Sequence, residues 1–280
     1  MGNGQKGPSL RSLTHPGPVA VQRHCALPCR AHPVTLMLEP GRFDQALAAA
    51  FAARGFQAGY ARLADVALPG LAYLIPGPAS PEGHAAWYSE AQPMGASARI
   101  VTAGAHLGWR DGTAFVHCHG LWQDDDRQAF GHILPAANWL NAPAQITGWG
   151  LSGAQLVAEP DPETRFTLFQ PAPAPVRDEG LPALLATLRP NQDICEGLAG
   201  LAQGAGFTRA RVEGLGSCVY TTFTDGGIDD SYATENLLTS GQIANGAATL
   251  DAIATGISGK VAWGRLQPGQ NAICVTAEVL

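Results

Sequence analysis

The sequence is written twice, and no other feature restricts its fold as much. The stretch VTLMLEPGRFDQALAAAFAARGFQAGYARL from Val34 has a counterpart in LLATLRPNQDICEGLAGLAQGAGFTRARVEGLGS from Leu184. Pro40 matches Pro190, and Gly55-Phe56 matches Gly206-Phe207. Each copy reads as an apolar strand ending at a proline turn, then an amphipathic Ala- and Leu-rich helix closed by glycine. A second strand begins at the Phe. Further on, Asp111-Gly112 and Asn245-Gly246 each precede an apolar run. Such pairs predict tight hairpins, because both positions tolerate positive φ. RQAFGHIL then answers KVAWGRLQ, and NAICVTAEVL supplies a closing strand. The period is too long for a solenoid. The expectation is an α+β protein of two tandem domains, each a mostly antiparallel sheet with a packed helix. The boundaries are an N-terminal arm at 1–33, a first domain at 34–157, a Pro-rich linker at 158–180 and a second domain at 181–280.

Bulk properties narrow the class of function. With 280 residues, 46% hydrophobic and 14% charged, the chain has ample apolar material for a packed core. Its net charge is −6, and Lys6 and Lys260 are its only lysines. A duplex-binding face needs clustered cations to release counterions, and no stretch supplies one, so the composition disfavours nucleic acid. The six cysteines are scattered through a chain too large to need disulfide staples. No leader and no membrane-length apolar run is evident. A soluble, cytoplasmic protein without membrane partners is expected.

The motifs carry a resemblance. Leu38-Glu39-Pro40-Gly41 before a helix, then His117-Cys118-His119 and Gly131-His132-Ile133 on later strands, mark the first copy. Leu188-Arg189-Pro190 and Gly214-Leu215-Gly216-Ser217 mark the second. In this order they resemble the PPC (plants and prokaryotes conserved) domain, across most of 34–155 and 180–280. The resemblance implies two PPC-like domains, self-association as a homo-oligomer, typically a trimer, and a metal held by the histidines. The basic Arg-Gly-Arg-Pro hook of the plant proteins is missing, so their DNA role does not transfer.

The histidines are the chemistry-bearing feature. All eight lie at or before position 132, and the second copy has none. Residues i and i+2 of a strand share a face, so His117 and His119 project together. The loop QDDDRQ leaves enough chain to bring His132 back on a neighbouring strand. Three imidazoles at one point suit zinc or another divalent transition metal and leave a coordination position open. Alignment on the hairpin and on Trp263-Gly264 puts Asp251, Ile253 and Arg265 where the first copy has His117, His119 and His132. Asp251 and Arg265 are therefore expected to form a charge pair at a degenerate second site.

Around that triad the sequence offers further candidates. Glu90, closing YSE as Glu235 closes YATE, is a candidate general base. His106, on the strand entering the Asp-Gly turn, is a candidate fourth ligand or proton shuttle. His84, in a loop largely absent from the second copy, and Arg110 and Arg127, flanking the triad, are candidates to hold an anionic substrate. His24, Cys25, Cys29 and His32 lack the spacing of a zinc knuckle and read as coincidental in an irregular arm. No phosphate loop, dinucleotide fingerprint or nucleophile elbow is present. The function expected is a metal-dependent lyase or hydrolase of small-molecule metabolism, performing hydration, elimination or hydrolysis on a carbonyl- or carboxylate-bearing substrate. The alternatives are a DNA-associated or regulatory module, or a structural trimer with a non-catalytic metal.

Overall fold

A computed structural model describes residues 10–79, 83–227 and 231–280. Among them the chain is mostly antiparallel strand with two α-helices, one in each copy. The first copy comprises β1 (His24–Leu38), α1 (Phe43–Ala53), β2 (Gly59–Ala67), the short β3 (Ala72–Leu74), β4 (Arg99–Arg110), β5 (Thr113–Gln123), β6 (Gln128–Ile133) and β7 (Ala144–Ser152). A hairpin of β8 (Ala154–Pro160) and β9 (Thr167–Pro173) leads into the second copy. That copy comprises β10 (Leu181–Leu188), α2 (Ile194–Gly204), β11 (Gly214–Cys218), β12 (Thr234–Ala244), β13 (Ala247–Gly256), β14 (Val261–Arg265) and β15 (Ile273–Val279). No helix among the described residues is long and apolar enough to cross a membrane.

Local chemistry places these elements as the repeat implies. Asp111 and Gly112 adopt φ of 50° and 74°, and Asn245 and Gly246 adopt 52° and 75°, the left-handed pair that matches strand twist. They close the β4–β5 and β12–β13 hairpins. Both helices end on a left-handed glycine followed by a phenylalanine whose amide turns back onto the last turn. The Asp193 side chain caps α2 by accepting from the Cys195 and Glu196 amides; α1 has no side-chain cap. The inner faces of the helices bury Phe43, Leu47 and Phe51 in one core, and Ile194, Leu198 and Leu201 in another.

Two segments differ from the sequence expectation. The arm is not irregular throughout: β1 starts at His24 and runs into the first copy without a break. It pairs antiparallel with β10 from His24↔Leu188 to Ala31↔Leu181, then with β7 from Arg30↔Ser152 to Leu38↔Ala144. Pro28 and Pro33 fall either side of this change of partner. One strand thus stitches the copies together. The Pro-rich linker is likewise ordered, because Ala154–Pro160 and Thr167–Pro173 pair along their whole length. Prolines are compatible with strands at a sheet edge. Its tip is pinned where Asp161 accepts from Thr164 and pairs with Arg189 at 2.6 Å. A third apolar cluster joins Leu121 and Phe130 of the first copy to Leu215, Leu237 and Ile253 of the second. The histidine face of β5 and β6 consequently lies against the second copy.

Candidate metal centre between the two copies

The β5–β6 register sets His119 directly opposite His132, with His117 two residues away on the same face. Gly104 of β4 lies opposite His119, and a Cβ there would sit 2.1 Å from the Tyr60 hydroxyl and 2.7 Å from Leu237 Cδ1. Only glycine permits that approach. The three rings converge. His117 Nε2 lies 3.1 Å from His119 Nε2, which lies 3.3 Å from His132 Nδ1. One nitrogen from each falls within 4.8 Å of the others.

The outer nitrogens decide what this convergence means. His117 Nδ1 is 3.0 Å from Glu278 Oε2, and a carboxylate only accepts, so that nitrogen carries the hydrogen. His119 Nδ1 donates to the Asn236 carbonyl at 2.9 Å. In neutral rings both Nε2 atoms are then bare lone pairs, and they face one another at contact distance. Glu235 Oε2 lies a further 3.1 Å from His119 Nε2. Three imidazole nitrogens converging in this way, with a carboxylate oxygen against one of them, suit a cation bound among them. The donor chemistry and the orientation of His117 and His119 by carboxylate and carbonyl fit a divalent transition metal.

Electrostatics reinforce the arrangement. Burial, with positive neighbours in His117 and His132, holds His119 well below the ordinary imidazole range. Burial and His117 do the same for His132. Burial also opposes protonation of His117, but the Glu278 carboxylate and its hydrogen bond outweigh it and raise the group. Glu235 is pushed up to about 7, chiefly by burial. Glu278 is 1% exposed and Glu235 7%.

A cavity of about 210 Å³ opens beside the triad. His117, His132, Glu235 and Glu278 lie on its polar side, and Trp87, Tyr88, Phe115, Phe166 and Phe169 on its apolar side. The second copy thus does more than scaffold: Glu235, Asn236 and Glu278 all belong to it. Sequence reasoning missed Glu278 and Asn236 and noticed Glu235 only as the echo of Glu90. One signal was available, since a lone acid in the apolar run ICVTAEVL has no reason to be there unless it is partnered.

The remaining candidates fall elsewhere. Glu90 is exposed and does not line the cavity; its chain neighbour Tyr88 does, with its ring 5.3 Å from that of His132. His106 does lie across the hairpin from His117, as expected. Fully buried, however, it bonds the Glu278 carbonyl oxygen through Nε2 at 3.1 Å and stands outside the converging set. Burial lowers it to about 4. It buttresses the strand that carries Glu278. His84 packs on Trp87 and Phe166, with centroids 4.4 and 4.9 Å away, behind the cavity lining. Arg110 and Arg127 do not line the cavity: Arg110 is exposed beside Asp111, and Arg127 donates to the Pro93 carbonyl. They diverge because the strands carrying them end in exposed turns.

Asp251 and Arg265 do face each other, with Arg265 Nε 3.1 Å from Asp251 Oδ1 on directly opposed residues. The register corrects the alignment, though. The rung beyond Gly131 is His119–His132, and the rung beyond Gly264 is Asp251–Arg265. Asp251 therefore corresponds to His119 rather than His117, because the second hairpin has shorter arms. The pair is largely solvated.

No protein-family model matches the sequence, and no curated protein matches it. Solved structures do resemble it. A plant- and prokaryote-conserved (PPC) protein from Pyrococcus horikoshii is 14% identical, matching 51% of this chain and 94% of its own, with a TM-score of 0.41. A metal-containing protein from Archaeoglobus fulgidus is 16% identical over 50% of this chain and 94% of its own, at 0.39. A candidate DNA-binding protein from Ralstonia eutropha is 13% identical over 50% and 94%, at 0.35. Each match takes in about half of this chain and nearly all of the other.

Proposed function

We propose that this chain is a metal-dependent enzyme of small-molecule metabolism whose ion, zinc by donor chemistry, is held by His117, His119 and His132. The observation that carries the reading is the convergence of the three rings, with the His117 and His119 Nε2 atoms 3.1 Å apart and each of those rings oriented by a partner on its other nitrogen. A divalent ion supplies Lewis acidity toward a carbonyl oxygen. Glu278 and the Asn236 carbonyl orient the rings that hold it. Glu235, raised to about 7 by burial and bordering the cavity, is the residue to which we assign taking and returning a proton in a hydration, elimination or hydrolysis. Glu90 and His106 do not reach that position. Metal analysis of protein purified without chelator tests the reading: about one zinc per chain is expected, lost in the His117→Ala/His119→Ala variant with the fold retained. Metal-free protein from zinc-replete cells would refute it.

A second reading, a DNA-associated module, follows from the names of two fold neighbours, the Ralstonia eutropha protein and another candidate DNA-binding protein from Bacteroides thetaiotaomicron. It predicts salt-sensitive retardation of random duplex DNA at physiological ionic strength. Trimeric self-association belongs to either reading and is checked by light scattering.

A further inference from the structure

We infer that the chamber beside the triad takes an uncharged, planar aromatic molecule carrying a carbonyl or similar oxygen donor, a substrate class that rests on the metal reading above. The walls are the first reason. Trp87 and Phe166 pack with centroids 5.3 Å apart and planes 32° from parallel, and Phe115 meets Phe169 at 5.5 Å in a T-shaped contact. All four rings line the same cavity, and Tyr88 joins them to His132. Aromatic rings packed this way offer both faces and edges to a further ring.

Size is the second reason. An apolar cavity of about 150 Å³ takes up benzene, so about 210 Å³ has room for one ring and a short polar substituent.

Charge is the third. Among the described residues, no lysine or arginine lines the chamber, and its carboxylates are Glu235 and Glu278. A substrate carboxylate would be buried beside Glu235 and Glu278 with no guanidinium or ammonium group among the described lining residues to receive it, which is costly. The arginines that would have held an anion lie outside.

Hydroxamates separate the contributions, because one metal-binding group can carry different bodies. The zinc content of the protein is measured first, and affinities are then read by isothermal titration. Benzohydroxamic acid is expected to bind at least tenfold more tightly than acetohydroxamic acid, and 4-carboxybenzohydroxamic acid to lose that gain. Phe166→Ala and Phe115→Leu should each shrink the aromatic preference several-fold with zinc content unchanged. Equal affinity for the aromatic and aliphatic probes, or undiminished binding of the carboxylated one, overturns the substrate class while leaving the metal reading intact. If no zinc is bound, the metal reading falls and the oxygen donor with it, while the chamber's preference for an uncharged aromatic body is still to be decided. Ligand-observed NMR with benzamide, acetamide and benzoate then decides the chamber's preference: benzamide binding best upholds it, and any other order overturns it.

Discussion

Glu278 shows how one side chain can set the property of another. It sits on β15, 161 positions from His117 in sequence, and fixes that ring's tautomer through a 3.0 Å contact. Glu278→Gln preserves the shape but removes the charge behind the imidazole. Zinc affinity should fall on the order of tenfold, read by competition with a chromophoric chelator, while the melting profile of the metal-free protein barely moves. An unchanged affinity would mean that His117 is oriented by packing alone.

The buried imidazoles also set a pH dependence. His106, His119 and His132 are held below their ordinary values and so stay neutral in the fold while they protonate in the unfolded chain. Groups of that kind make stability fall as pH drops below ~6.5. Glu235, raised to about 7, acts in the opposite sense between ~4.5 and that value, and the raised His117 acts only above ~6.5. With buried His15, also held low by burial, four protons against one leave acid destabilisation as the net result. Urea melts in chelator should lose about 2 kcal/mol or more between pH 6.5 and 5, and a flat profile would contradict the burial of these rings.

Among the elements, α2 offers the sharpest test of local design. Asp193 is 2% exposed, caps the helix through Oδ1 and receives the Asn271 amide on Oδ2 at 2.8 Å. Asp193→Ala removes a cap and strands a buried donor, a loss of about 2 kcal/mol, visible as a lower urea midpoint with an unchanged slope. The first helix has no such cap. There Arg42 pairs with Asp44 of the first turn at 2.7 Å, an exposed contact that contributes little. The two copies share a plan without sharing the interactions that stabilise it.

Taken whole, the molecule places its metal candidates on one copy and the groups that orient them on the other. A bound ion should therefore couple the copies. Zinc is expected to raise the melting temperature by several degrees and to slow amide exchange in β12 and β15 along with β5 and β6, since ligand binding to the folded state adds directly to its stability. Protection confined to β5 and β6 would show that the copies behave independently. The strand β1, shared between β7 and β10, makes such independence hard to achieve.

Sequence alone established the duplication, the helices with their glycine ends, the two hairpin turns and the common face of His117, His119 and His132. These follow from short-range rules: backbone periodicity and the φ preferences of glycine and asparagine act within a few residues. It missed that the strand begins at His24 rather than Val34, read the Pro-rich stretch that forms much of the hairpin at 154–173 as a linker, and matched Asp251 to the wrong histidine. Tertiary structure alone decided that Glu235, Asn236 and Glu278 lie against the histidines and that Glu90, Arg110 and Arg127 do not line the cavity beside them. Pairing between the copies brings together groups more than a hundred residues apart, and no local pattern encodes which buried acid will meet which imidazole.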